Sequence, residues 1–108
     1  MTSEPLPRSQ VDALLLAAVR DEPAHGYEII ERLRRLSGGL FDLPEGTVYP
    51  TLHRLEREGL LPSHWTEYAG RRRRVYRLNG EGVAALAAAR QRWRAYARGV
   101  NTVLEGQR

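Results

Sequence analysis

Hydrophobic positions along this chain fall into blocks with different periods. The first, VDALLLAAVR (residues 11–20), carries apolar residues at helical spacing and must end before Pro23. Ser9 and Asp12 resemble a helix N-terminus, a capping hydroxyl followed by an acid in the first turn. Leu14, Leu15 and Leu16 point in directions spread over about 200° of a helical wheel. Such a helix needs cover on more than one side, and a second subunit would supply it through Leu14 and Leu15.

A second helix is predicted from Gly26 to Ser37. Ile29, Ile30, Leu33 and Leu36 form its apolar stripe, with Arg32, Arg34 and Arg35 largely outside it. Gly38-Gly39 ends it, because glycine readily takes the left-handed conformation after a helix. The LFDL segment that follows reads as a short strand or a loop.

GTVYPTLHRLEREGLL (residues 46–61) predicts a third helix, closed by Gly59. Val48, Leu52 and Leu55 share its core face, and Gly46, Pro50, His53, Arg54 and Arg57 lie opposite. Tyr49 sits at the edge of the polar face, where packing, contact with a partner, or both are open to it. A start at Gly46 or Thr47 puts Pro50 in the first turn or just past it, where a missing amide costs little. Tyr49, the residue before proline, is disfavoured in the α region, so a slightly distorted first turn is expected.

Two short segments flank Tyr68-Ala69-Gly70 and predict a β-hairpin. Tyr76 and Leu78 share a face with Arg72 and Arg74, whereas Val75 takes the other. The Leu78 end is expected to be buried, and the tip with Arg71, Arg72, Arg73 and Arg74 is too charged to be. A long helix then runs from about Gly80 to Leu104. Leu86, Ala89, Trp93, Tyr96, Val100 and Val103 follow 3-4-3-4-3 spacing, a heptad seam whose simplest partner is a second copy of the chain.

The resulting class is mainly α with a small β-hairpin wing: a winged helix-turn-helix followed by a long C-terminal dimerisation helix. Residues 1–8 are expected to be a disordered tail, 9–79 the winged domain and 80–108 the dimerisation helix. The 108 residues suffice for one modest core. No apolar run is long enough for a membrane span and no signal peptide opens the chain, which points to the cytoplasm. There is no cysteine, and His53 and His64 lack partners at metal-ligand spacing, so neither metal nor other cofactor is expected. A phosphate-binding glycine loop, a nucleophile elbow and a carboxylate pair with a base are all missing, which argues against an enzyme.

Charge then selects among binding functions. All seventeen basic residues are arginine, a choice that a genomic bias toward arginine codons accounts for, while the overall basic balance, a net charge of +4, favours a polyanionic partner. In helix-turn-helix proteins the second helix of the pair enters the major groove by its N-terminal part, here Gly46–Glu58. His53, Arg54 and Arg57 are placed to reach phosphates, and Arg71–Arg74 to follow the backbone or enter a minor groove. His25 reads as a cap, and Tyr27 and Trp65 as packing residues. A winged helix used for protein–protein contact, or a small-molecule sensor acting through a partner protein, remains compatible with the same pattern.

HGYEI (residues 25–29), GTVYPTLHRLEREGLL and GRRRRVYRLNGEG (residues 70–82) together resemble the PadR family of bacterial transcriptional regulators. The resemblance runs from about Leu14 to the C-terminus. Asn79-Gly80 departs from the usual threonine and longer side chain, although asparagine also caps helices well. The resemblance implies a dimeric winged-helix DNA-binding protein, usually a repressor, bound to double-stranded DNA at a pseudo-palindromic operator and often released by a small molecule. It maps the recognition tyrosine to Tyr49, beside Thr47 and Pro50, and the basic wing to Arg71–Arg74. Trp93 matches a tryptophan near the dimer interface that, in some compact members, lines a pocket for flat aromatic compounds.

Overall fold

In a computed structural model, which describes residues 6–106, the chain folds as α1 (Arg8–Ala18), β1 (Ala24–His25), α2 (Gly26–Leu36), α3 (Glu45–Arg57), β2 (Ser63–Tyr68), β3 (Arg71–Tyr76) and α4 (Gly80–Glu105). The mainly helical winged-helix class is therefore observed, with one addition. Ala24-His25 forms a third strand on β3, giving an antiparallel sheet in the order β1-β3-β2. Two residues before a helix carry no period, so the sequence pattern could not show this strand.

The core is built where the three short helices meet the root of the hairpin. Leu15, Leu16 and Val19 from the first segment pack with Ile29, Leu33, Val48, Leu52, Leu55, Leu61 and Tyr76. Tyr76 is among the largest fully buried side chains, so the hairpin is anchored at the end the alternation predicted. Each fully enclosed aliphatic or aromatic side chain contributes roughly 1.5–3 kcal/mol.

Several expectations need correction. The first helix begins at Arg8 behind Pro7, with no side-chain cap, so Ser9 is inside the helix and not before it. Leu6 packs against the core, which moves the end of the expected tail; residues 1–5 lie outside the described residues. Leu36 is 64% exposed and leaves the apolar stripe of α2. Arg32 turns inward instead, donating to the carbonyls of Ala18 (2.7 Å), the last residue of α1, and of Glu22 (2.8 Å) beyond it. LFDL is a loop.

The turn at the wing tip is a two-residue connection in which Ala69 (φ 52°) and Gly70 (φ 77°) are both left-handed. That pattern matches the twist of a hairpin, and Ala69 carries its strain without glycine's freedom. At the other end of the hairpin, the Asn79 side chain accepts from Gly82 N (2.8 Å) and donates to Gly59 O (2.8 Å). One residue thus caps α4 and ties it to the end of α3. The 26 residues of α4 span about 39 Å. Its second half projects from the body of a molecule measuring 60 × 31 × 21 Å. No helix among the described residues is long and apolar enough to cross a membrane.

Candidate nucleic-acid interface

Helix α3 is held by one face. Val48, Leu52 and Leu55 are buried, while Gly46, Pro50, His53 and Arg57 on the opposite face are exposed. The helix starts earlier than the sequence suggested, at Glu45 behind Pro44. Val48 N already donates to Pro44 O (3.0 Å), so the helical ladder is running before Pro50 is reached. Pro50 is the sixth helical residue, and the carbonyl of Gly46 loses the amide that would have bonded it. The expectation of a nearly free proline is corrected: the helix forgoes one internal hydrogen bond, worth about 1 kcal/mol. Because Gly46 is exposed, its carbonyl remains available to solvent or to a ligand. Thr47 is half-buried and accepts from Thr51 Oγ1 through its carbonyl (2.7 Å), which stiffens the same turn.

Tyr49 reaches sideways from this turn onto Gly26, the first residue of α2. A β-carbon at Gly26 would lie 2.3 Å from Cε1 and 2.8 Å from the phenol oxygen of Tyr49. The ring is half-buried, and burial raises its phenol above the ordinary value, with Glu45 adding to the effect and Arg73 opposing it. The packing role left open for Tyr49 is thus observed, while part of the ring stays accessible.

Arg54 is not free. Its guanidinium pairs with Asp12 of α1 and with Glu58 Oε2 at 3.1 Å, and the side chain is 18% exposed. The wheel placed it opposite the core, but a long side chain can turn back across a helix toward a carboxylate on its neighbour. Arg54 therefore joins α1 to α3, and His53 and Arg57 stand exposed on the outer face.

The wing divides in the same way. Trp65 is 53% exposed and has two guanidinium groups at its ring, Arg72 at 4.5 Å and Arg74 at 5.0 Å from the centroid. This confirms that Arg72 and Arg74 share a face. Arg74 is also bound by Glu56 of α3 (3.1 Å), which accepts from Ser63 Oγ as well (2.6 Å). Burial alone would raise the Glu56 carboxyl, but the Ser63 and Arg74 hydrogen bonds outweigh it and hold the group below its usual range. Arg73 lies over the Tyr68 ring (5.0 Å), with Nη1 2.6 Å from His25 Nε2. Arg71 and Arg72 are the exposed arginines of the run; Arg73 and Arg74 are half-buried and reach His25 and Glu56 of the body. Glu56 escaped the sequence reading, although an acid on α3 facing a four-arginine hairpin was the available signal.

His25 stands at the N-cap position of α2, as its place in the chain suggested, with Glu28 N 3.4 Å from Nδ1 and Glu28 Oε1 accepting from His25 N at 3.3 Å. A neutral imidazole offers one lone pair, so it cannot accept from Glu28 N and Arg73 at once. The shorter contact, to Arg73, has the stronger claim. Tyr27 is 57% exposed and is not the packing residue expected.

The residues expected at a dimer interface also separate into two groups. Leu15 is fully enclosed and Leu86 is 4% exposed, both in this chain's own core. Leu15 offers a second copy no surface, and Leu86 only an edge in the groove between α1 and α4. Leu14 is half-buried and lines that groove of about 680 Å³ together with Leu6, Phe41, Trp93 and Tyr96. Trp93 and Tyr96 stand 5.6 Å apart at 34°, and Val100 and Val103 continue the exposed seam.

With this geometry in hand, comparison with known proteins is specific. The profile of the transcriptional regulator PadR-like family matches residues 15–88. The transcriptional regulator Rv3488 of Mycobacterium tuberculosis is 40% identical over 100 residues, 93% of this chain and 88% of that protein. The transcriptional activator GvpE of Haloferax mediterranei is 48% identical over 66 residues, 61% of this chain but 31% of that protein. The crystal structure of smu.1704 from Streptococcus mutans UA159 superimposes with a TM-score of 0.83 at 28% identity, covering 99% of this chain and 97% of that one. The chain belongs to the PadR-like family of transcriptional regulators.

Proposed function

We propose that the chain acts in the cytoplasm as a homodimeric, sequence-specific DNA-binding regulator, with α3 in the major groove and the wings on flanking backbone. The observation that carries this reading is the two-sidedness of α3. One face is locked by Val48, Leu52 and Leu55, and the other presents Gly46, Pro50, His53 and Arg57 as exposed residues. The Glu56 contacts with Ser63 and Arg74 hold the wing and α3 in a fixed relation, so Arg71 and Arg72 are presented with the helix. A small-residue helix tip permits close approach to phosphates or base edges.

The exposed seam of α4 and the α1–α4 groove support pairing of two copies. Trp93, Tyr96, Val100 and Val103 would otherwise leave apolar surface in water along a projecting helix. Two recognition helices related by a dyad read half-sites about 34 Å apart, hence a pseudo-palindromic operator. Repression, relieved by a flat aromatic effector between the Trp93 side chains, completes the proposal. The effector releases DNA only if it binds more tightly to the arrangement of recognition helices that does not fit the operator. The haloarchaeal relative is named an activator. Operator position relative to the promoter then sets the sign. Footprinting of bound genomic sites tests the whole reading: paired half-sites one turn apart over promoters support it, and scattered binding without a shared sequence rejects it.

A further inference from the structure

Arg73 stands at the meeting point of α2, α3 and the wing. Its strand is paired with β1, where His25 lies opposite Val75. Its guanidinium spans from the Tyr68 ring on β2 to His25 Nε2, at 5.0 Å and 2.6 Å. Gly26, the residue after His25, carries the Tyr49 ring. One contact from the start of α2 therefore reaches the wing, and its neighbour reaches the recognition helix.

We propose that His25 is a positioning residue for the wing, acting through Arg73, and that Arg73 orients the DNA-binding surface instead of binding phosphate. The inference rests on the reading that α3 and the wing bind DNA. Its chemistry is that of a single acceptor. Arginine donates and never accepts, so Nε2 must offer its lone pair to Arg73, which places the ring proton on Nδ1. A protonated imidazole has only donors to offer, and the contact is then broken. Glu28 of α2 (Oε1 3.6 Å from Nε2) favours that charged form, and Arg73 of β3 opposes it. Arg72, by contrast, stacks on Trp65 at the exposed surface and keeps its hydrogen-bond donors free for a phosphate.

Two measurements separate positioning from phosphate contact. The first is amide hydrogen exchange in Ser63–Tyr68 and Arg71–Tyr76 of the free protein at pH 8. His25→Asn places a good capping oxygen at the start of α2 and releases Arg73, and exchange in the wing should accelerate about tenfold. Arg73→Ala should do the same, and the double variant should be no faster than the faster single one. The second is binding to a mixed-sequence 30-base-pair duplex across a salt series. Both single variants should weaken binding by about tenfold with the salt slope unchanged, whereas Arg72→Ala, lost from both copies of the dimer, lowers the slope by about 1.8. The proposal is overturned if Arg73→Ala lowers the slope as Arg72→Ala does, or if His25→Asn leaves wing exchange at the wild-type rate. Should the wild-type protein retain no duplex at all, the DNA reading fails, and the exchange measurement still decides whether His25 holds the wing.

Discussion

The Tyr49 ring occupies the space that a side chain at Gly26 would need, with Cε1 2.3 Å from the position of an added β-carbon. The start of α2 and the leading end of α3 are therefore fitted to each other through one missing methyl group. Gly26→Ala is expected to swing the ring outward, because the atoms it meets are the far end of a side chain. The stability cost should be about 1 kcal/mol, at the low end for overpacking. Operator affinity should fall by more than the affinity for mixed-sequence DNA, since the displaced ring belongs to the helix proposed to enter the major groove. Thermal unfolding and paired binding assays check both halves.

Tyr49→Phe and Tyr49→Ala divide packing from readout. The phenylalanine variant keeps the ring on Gly26 and should retain wild-type stability. Any loss of discrimination between operator and mixed sequence then belongs to the hydroxyl. The alanine variant should lower specific binding more than non-specific binding and also destabilise the fold. Equal losses on all sequences would show that Tyr49 positions the protein without reading bases.

Arg54 and Arg57 lie three residues apart and should behave differently. Arg54→Ala removes the partner of Asp12 and Glu58 and is expected to destabilise the fold by about 1 kcal/mol with the salt slope intact. Arg57→Ala should leave the unfolding midpoint unchanged and, by removing one contact from each copy of the dimer, lower the slope by about 1.8. A slope change in Arg54→Ala would contradict its assignment to the body.

Stability should fall in two steps on acidification. Burial lowers the pKa of His25 below the ordinary 6.5, with Glu28 opposing and Arg73 assisting. The folded state then binds fewer protons than the unfolded chain, so the His25 contribution is complete above about pH 6.5 and declines below it toward the lowered folded value. Glu56, held below 4.5, contributes fully above about pH 4.5 and is lost as pH falls through its lowered folded value. His25→Asn should remove the upper step alone, and Glu56→Gln the lower, in midpoints measured across pH.

These predictions depend on features of unequal legibility in the chain. Periodicity found the core face of α3, since Val48, Leu52 and Leu55 obey a rule that packing enforces. Alternation found the shared face of Arg72 and Arg74, because a strand cannot present them otherwise. What a wheel cannot show is where a long side chain ends. Arg54 and Arg74 were indistinguishable from Arg57 and Arg72 until Asp12 and Glu56 were placed beside them. Leu15 and Leu86 had apolar company in either a monomer or a dimer, and only the packed core assigned them to the former. Pro50 moved inward because Pro44, outside the hydrophobic pattern, starts the helix.

The interface is checked by contrast between two leucines and a tryptophan. Leu15→Ala and Leu86→Ala should each cost about 2–5 kcal/mol of folding stability, as core truncations do. Trp93→Arg, at a side chain 50% exposed, should leave the fold intact and shift sedimentation from dimer to monomer. An unchanged sedimentation profile in Trp93→Arg would reject the seam on α4.

The central claim, that α3 and the wing form a DNA-binding surface, is tested most directly by duplex affinity as a function of salt. A dimer engaging Arg57, Arg71 and Arg72 of each copy should give log K falling linearly with log salt, with a slope on the order of −5. Arg71→Ala combined with Arg72→Ala should bring the slope to roughly a third of that value. Failure to retain duplex DNA at low salt, or a slope indifferent to these arginines, would contradict the account.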